Sequence, residues 1–338
     1  RDDRWAANVP VPDPGALPAD ELNAQGRQAG VVGMGGAAVP AHVKMSPRPE
    51  KPIHTLLFNG VECEPYLTSD HRMMLEESER VLQGVALLQY VYGAERVVIG
   101  IEANKPDAIA LLKKQCVDAP VEILPLQVKY PQGAEKQLIF AATGREVPSG
   151  GLPMDVGVAV HNVSTAAAVT DAVMLGRPLI ERVCTVTGPA IKEPKNLRIR
   201  IGMPLSHLVE VCGGLVEEPG KIILGGPMMG FTQVGFDVPV IRGSSGLLLL
   251  REEDIANRPE GPCIRCARCV QACPMNLMPT TIAAYARRDL VVETEEYCAM
   301  DCIECGSCSY VCPACIPLVQ SIRHGKAAVL AKKRNALL

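Results

Sequence analysis

The sequence predicts a mixed α/β chain in three parts: a parallel-sheet domain, a small α+β domain, and a helical tail threaded with cysteines. Three observations predict this. Strand-length apolar runs alternate with helical periodicity three times between residues 53 and 142, shorter runs surround one helix from about residue 183, and a cysteine pattern is written twice from residue 263. Regular alternation of strand and helix argues for parallel strands joined by right-handed crossovers.

The 338 residues leave room for two or three domains and a sizeable core. With 21% charged residues and a net charge of −3, nothing draws the chain globally toward nucleic acid, and 4% aromatics argue against a base-stacking surface. No run of 18 apolar residues and no secretory signal is read, so a reducing compartment is expected. The first residue, Arg1, is read as a trimmed start or the end of an upstream segment.

Residues 1–20 are proline-rich and read as an extended lead-in. ADELNAQGRQAG follows as a short helix with Asp20 as N-cap, running into the glycine-rich VVGMGGAAVPAHVK. IHTLLF (53–58) reads as a buried strand. The stretch 74–91 reads as one helix whose apolar face is Leu75, Val81, Leu82, Val85 and Leu88. RVVIGI (96–101) is a strand, and 105–115 a helix with Asn104 as N-cap and Pro106 in its first turn. VEILPLQ (121–127) and GAEKQLIFAA (133–142) complete the alternation. Ligands of such sheets bind beyond the strand C-terminal ends, and here those ends deliver NGVECEP (59–65), EANK (102–105) and KYPQGAE (129–135). After the small domain, REEDIANRPEGP reads as a polar linker. The last stretch, from Ser321, carries five Lys or Arg and no acid, and reads as a solvated helix end.

Fourteen cysteines need an account, and eight lie in CIRCARCVQACP (from 263) and CIECGSCSYVCP (from 302). This spacing is that of the bacterial two-cluster ferredoxins, in which three cysteines hold one cubane and the fourth reaches across to its neighbour. Cys263, Cys266, Cys269 and Cys312 are therefore expected on one [4Fe–4S], with Cys302, Cys305, Cys308 and Cys273 on the other. Paired zinc knuckles seldom use this three-then-one spacing. Cys298 and Cys315 are left outside the ligand sets, and Cys63, Cys116, Cys184 and Cys212 read as core thiols. Two adjacent cubanes form a one-electron wire. GVVGMGGAAVP lacks the G-x-G-x-x-G spacing and follows a helix, which disfavours a dinucleotide fingerprint, and GGPMMG (225–230) reads as a turn.

The ordered set GMGGAAVPAHVK, NGVECEP, YPQGAE, HNVST and the paired cysteine runs resembles the C-type component of Rnf electron-transport complexes over nearly the whole chain. It is also similar to the flavin-bearing, NADH-binding subunit of respiratory complex I. The resemblance implies a Rossmann-like flavin/NADH domain at 21–180, a β-grasp soluble-ligand-binding module at 181–252 and a two-cluster ferredoxin-like domain at 253–338. It implies non-covalent FMN on Gly33, Gly35, Gly36, Lys44, Asn59, Glu62, Tyr130, Gly133, Asn162 and Thr165, and NAD(H) on Glu64 and Glu135. Val39, Val61 and Ala134 depart from the complex I motifs. The implied activity is electron transfer between NADH and ferredoxin coupled to ion translocation. The implied partners are the ferredoxin-like B subunit and the integral membrane subunits of the complex, the implied location is the cytoplasmic face of the membrane, and no nucleic acid is involved. The alternatives are a cobalamin reductase of the PduS type and an electron-carrier or scaffold subunit without a nicotinamide site.

Overall fold

The computed structural model describes residues 17–46, 50–255 and 258–335. Most of the proline-rich lead-in lies outside these residues. The chain divides into two units between Glu252 and Glu253.

The first unit opens with helices α1 (Ala19–Gln28) and α2 (Ala41–Lys44), then β1 (Thr55–Gly60), α3 (Ser69–Glu76), α4 (Ser78–Tyr92) and β2 (Arg96–Glu102). It continues with α5 (Pro106–Gln115), β3 (Val121–Leu126), α6 (Glu135–Thr143), β4 (Val158–Asn162) and α7 (Val163–Met174). The four strands pair in parallel in the order β3-β2-β1-β4. Strands covered on both faces read as continuous apolar runs, with successive side chains sent to opposite sides. Thus Leu56, Phe58, Val97, Ile99 and Ile101 join the core beneath α4 and α7, whereas Leu57 and Val98 join the core beneath α6. Helices α4 and α7 approach so closely that a Cβ on Gly84 would lie 1.9 Å from the Ala166 carbonyl oxygen.

Local capping differs from expectation. Pro18, not Asp20, is the N-cap of α1, with no side-chain cap bond, and Asp20 sits in the first turn where its charge favours the helix dipole. Lys105, not Asn104, caps α5, and Pro106 occupies its first position. The single helix expected over 74–91 is two, broken at Glu77, whose φ of −126° leaves the helical region. Its carboxylate is drawn to Arg80 and Arg198 there. Strand β4 and helix α7 were not read from sequence; β4 is only five residues long.

A second sheet follows in the same unit: β5 (Glu181–Thr187), β6 (Lys195–Arg200), α8 (Leu205–Val211), β7 (Lys221–Leu224), β8 (Phe231–Gln233) and β9 (Gly246–Leu250). Its order is β6-β5-β9-β7-β8, with β5 and β9 parallel and the other pairs antiparallel. Leu205 and Leu208 of α8 bury against Cys184, Val186, Leu247 and Leu249. Short strands around one helix are what the sequence predicts.

The second unit contains α9 (Arg268–Gln271), α10 (Pro279–Ala286), α11 (Val291–Glu296), α12 (Ser307–Tyr310) and α13 (Leu318–Asn335). Ile282, Ala283, Ala299, Leu318, Val319 and Ile322 form its small core. Among the described residues, no helix is long and apolar enough to cross a membrane.

Candidate functional sites

The order of the parallel sheet reverses between β1 and β4, and a ligand crevice opens at such a switch point beyond the strand C-termini. Asn59, next to last in β1, and Asn162, the last residue of β4, are register partners. Asn59 Nδ2 donates to the Gly133 carbonyl at 2.8 Å while its Oδ1 accepts from Val61 N–H at 3.0 Å. Asn162 caps α7, its Oδ1 accepting from Ser164 N–H at 2.8 Å and from Thr165 N–H at 3.4 Å. Its Nδ2 donates to Asp70 Oδ2 at 2.6 Å.

The glycine-rich turn lies against this pair. Met34 N–H donates to buried Thr165 Oγ1 at 2.9 Å. A Cβ on Gly35 would come within 2.7 Å of Asn162 Nδ2, so only glycine lets the turn approach so closely, whereas a Cβ on Gly36 would meet nothing within 4 Å. Gly33 closes the turn through its N–H to the Val39 carbonyl at 2.8 Å. Lys44 Nζ reaches in from α2 to bond Glu135 Oε1 at 2.7 Å and the Val160 carbonyl at 3.3 Å. The peptide before Pro131 is cis and presents Tyr130 on the loop leading to Gly133. A Cβ on Gly133 would stand 2.4 Å from the Val61 carbonyl oxygen.

Three carboxylates at the crevice have distinct surroundings. Glu62 accepts from Ser69 Oγ and from the backbone N–H groups of Asp70 and His71, at 3.0, 3.0 and 3.2 Å. Burial, then the charge of Asp70, pushes its pKa up to about 7, so near neutrality it is divided between its two protonation states. Glu64 accepts from the N–H groups of Met228 and Met229 at 3.0 and 2.8 Å, and burial raises its pKa. The GGPMMG turn, linking β7 to β8, is thereby bound to the NGVECEP loop. Glu135 is the ion-pair partner of Lys44.

Sequence reasoning missed four residues here. Asp70 is half-buried and accepts from Ser164 Oγ at 2.6 Å, and buried Arg182 contributes a favourable charge toward it. Glu102 and Lys105 form a buried ion pair at 2.8 Å at the end of β2. Of the four cysteines read as core thiols, Cys116, Cys184 and Cys212 are buried. Cys63 is not fully buried; its Sγ accepts from Gly133 N–H at 3.3 Å in the crevice wall, and burial pushes its pKa up to about 11. The signal for Cys63 and Glu102 was their place in the two strand-end loops.

In the second unit, Cys312 lines the same cavity of about 550 Å³ as Cys263, Cys266 and Cys269. Cys273 in turn shares a much smaller pocket, of about 20 Å³, with Cys302, Cys305 and Cys308. The fourth cysteine of each run is thus brought to the other run's three. The backbone follows one course twice, with left-handed φ at Arg265 and Glu304, at Ala267 and Gly306, and at Asn276 and Cys315. Among the described residues, no three His, Cys, Asp or Glu side chains converge on one ion-sized point.

These donors suit the groups that the sequence implies. In the crevice, a strand-end amide, an ammonium and an open glycine turn offer polar contacts to a flavin and its phosphate. In the second unit, all eight cysteines are free thiols. Burial and the neighbouring sulfurs push Cys308 up to about 12, a cost that a cationic iron core offsets by ligating thiolates.

Residues 27–171 match the family model of the Nuo51 FMN-binding domain, 183–232 that of the SLBB domain, and 256–313 that of the 4Fe-4S dicluster domain. The chain is 50% identical over 327 residues to the C-type component of the proton-translocating ferredoxin:NAD(+) oxidoreductase complex of Clostridium ljungdahlii, covering 96% of this chain and 72% of that protein. It is 49% identical over 320 residues to the Na(+)-translocating counterpart of Acetobacterium woodii, covering 94% and 72%. It is 42% identical to the C-type component of the ion-translocating oxidoreductase complex of Rhodobacter capsulatus, spanning 96% of this chain and 63% of the relative. Its fold is similar to that of a chain in an NAD+-reducing [NiFe]-hydrogenase in the H2-reduced state, with a TM-score of 0.61 and 15% identity, covering 96% of this chain and 63% of that one. With its flavin-type crevice, its SLBB module and its two crossed cysteine sets, the chain belongs to the family of C-type components of ion-translocating ferredoxin:NAD(+) oxidoreductase complexes.

Proposed function

We propose that this chain is the nicotinamide-reacting subunit of such a complex, exchanging electrons between NAD(H) and ferredoxin through FMN and two [4Fe–4S] clusters. The observation that carries the reading is that one chain joins a flavin-type crevice at a sheet switch point to two four-cysteine sets. Bound flavin supplies the conversion between a nicotinamide's electron pair and the single electrons that cubanes exchange. The protein's part is to bind, orient and tune.

In this reading Asn59, Gly133 and Tyr130 border the flavin ring, while Gly33, Gly35, Gly36, Asn162 and Thr165 form the turn that receives its phosphate end. Lys44 supplies a cation, held in position by Glu135. Glu62, with a pKa of about 7, supplies a carboxyl that can carry or release a proton beside the ring at neutral pH. Glu64 has given two of its roughly four acceptor positions to backbone N–H groups and keeps others for the ribose hydroxyls of the nicotinamide cofactor. The cysteine sets Cys263, Cys266, Cys269, Cys312 and Cys302, Cys305, Cys308, Cys273 hold the clusters. The partners are the integral membrane subunits and the ferredoxin-like B subunit, and the chain sits peripherally on the cytoplasmic face.

Anaerobic purification with cofactor analysis tests this. NADH should bleach the flavin bands and then raise reduced-cluster EPR signals. Cluster absorbance with no flavin, or flavin inert to NADH, would overturn the reading. Glu64→Gln should raise the KM for NADH with flavin retained; a charge-assisted contact of about 1.5–3 kcal/mol corresponds to roughly tenfold to hundredfold.

A further inference from the structure

The wall of the first cysteine set is built differently from that of the second. Every residue from Pro262 to Arg268 is exposed, including Cys263 and Cys266 themselves. Ile264 stands 66% exposed, and Met278, which lines the same cavity, 49%. Among the described residues, no acidic side chain lines the cavity. Arg265 and Arg268 are exposed beside it, and neither has an ion-pair partner among the described residues. At the equivalent positions the second repeat carries Glu304 and Ser307, and Glu304 is neutralised by Lys326 and Arg323.

We propose that this rim, Ile264 and Met278 flanked by Arg265 and Arg268, is the docking surface for a small acidic protein domain bearing a one-electron iron–sulfur centre. The proposal deepens the function given above and rests on its assignment of the first cluster. Exposed apolar side chains with a rim of uncompensated charge are the composition of a transient, electrostatically steered interface. Two arginines of one sign favour an acidic partner, and an open cluster wall shortens the distance between the two centres. The step is outer-sphere: one electron leaves the reduced first cluster and reduces the oxidised centre of the partner, or the reverse. No bond forms and no proton moves.

The test uses the full chain with its cofactors and, as probe, an acidic two-cluster ferredoxin. The substitution Arg265→Glu with Arg268→Ser gives the first repeat the residues that the second already carries at the same backbone positions. A glutamate at the left-handed position is therefore accommodated, as Glu304 shows with φ of 57°. Calorimetric titration of the oxidised proteins should show Kd raised at least tenfold in the variant. Wild-type binding should weaken steeply with added salt. Stopped-flow transfer from dithionite-reduced protein should slow in parallel, while iron content and cluster EPR stay unchanged. Lys113→Glu with Lys114→Ser, at exposed positions of α5, makes the same change of net charge and serves as its control. Equal weakening by both pairs, or none by the first, would overturn the proposal. Because dithionite supplies the electrons, that outcome is distinguishable from failure of NADH to reduce the flavin, which would overturn the function instead.

Discussion

Residues 262–268 and 301–307 follow the same backbone course, including left-handed conformations at Arg265 and Glu304 and at Ala267 and Gly306. The first stretch is exposed at every residue and the second at none. Cys305 and Cys308 are each 7% exposed, while their counterparts Cys266 and Cys269 are exposed and half-buried. The helices that follow the two runs differ as well. Helix α10 ends at Ala286 after eight residues, whereas α13 runs for eighteen, to Asn335. On α13, Arg323 and Lys326, which match Ala284 and Arg287, reach the second run, where Arg323 pairs with Glu304 and Lys326 Nζ donates to the Cys302 carbonyl at 2.8 Å and to Glu304 Oε1 at 2.6 Å. At the position matching Lys326, Arg287 lies just past the end of α10 and turns instead to Glu260 and Ser321. Ligand geometry is thus written by local spacing, and cluster environment by what packs around it.

The largest expected effect tests whether the two repeats exchange their fourth ligands. Cys273→Ala should remove or reduce to three irons the cluster that Cys305→Ala also damages, and Cys312→Ala the cluster that Cys266→Ala damages. Iron analysis and EPR on the four variants decide it. If Cys273→Ala and Cys266→Ala lose the same signal, each run closes its own cluster and the comparison must be redrawn within runs.

Next in size is a difference in reach. An iron chelator added to the oxidised protein should strip the first cluster at least tenfold faster than the second, because two of its ligands face solvent. Biphasic loss of absorbance, with the EPR signal lost by Cys266→Ala disappearing in the fast phase, is the expected record. A single phase would mean that burial does not distinguish the clusters.

What was legible in the sequence follows the same division. The cysteine sets could be read because their members lie two or three residues apart, and β1, β2 and β3 because strands buried on both faces leave unbroken apolar runs. The crevice loops were found from strand ends alone. The partners of the site residues were not legible. Glu64 meets Met228 and Met229 across more than 160 residues, and Asp70 meets Ser164 across 94. Tertiary approach makes those contacts, and nothing in a local pattern encodes them. The break at Glu77 escaped for a related reason: the apolar periodicity runs on through it, and the arginine that helps hold it, Arg198, comes from the second sheet.

A smaller effect concerns tuning. Lys326→Met keeps the aliphatic stem but removes a half-buried charge beside Cys302 and leaves Glu304 less compensated. The second cluster should become harder to reduce, by roughly 50 mV if about 1 kcal/mol of stabilisation is lost, while the first stays put. Arg287→Met, at the matching position, should move neither. Redox titration followed by EPR separates the two signals, and equal shifts from both variants would remove Lys326 as the source of the asymmetry.

The smallest expected effect is the sharpest test of the repeat itself. Cys315 lies close enough to Cys312 to be mistaken for a ligand, yet it is the counterpart of Asn276. Both residues sit at left-handed φ, 52° and 53°. Both also donate their backbone N–H to the carbonyl of the fourth cysteine of their run, Cys312 and Cys273, at 3.1 Å. Asparagine tolerates this conformation better than most residues, since its short polar side chain can bond locally. Cys315→Asn therefore installs the residue that the first repeat already uses, and should change stability by no more than about 0.5 kcal/mol, the usual range for a substitution without lost packing. Both EPR signals and the iron content should match the parent protein, and Cys298→Ala, on an exposed turn, should behave likewise. Loss of either cluster in Cys315→Asn would make Cys315 a ligand, and the second set would then no longer be the first set repeated.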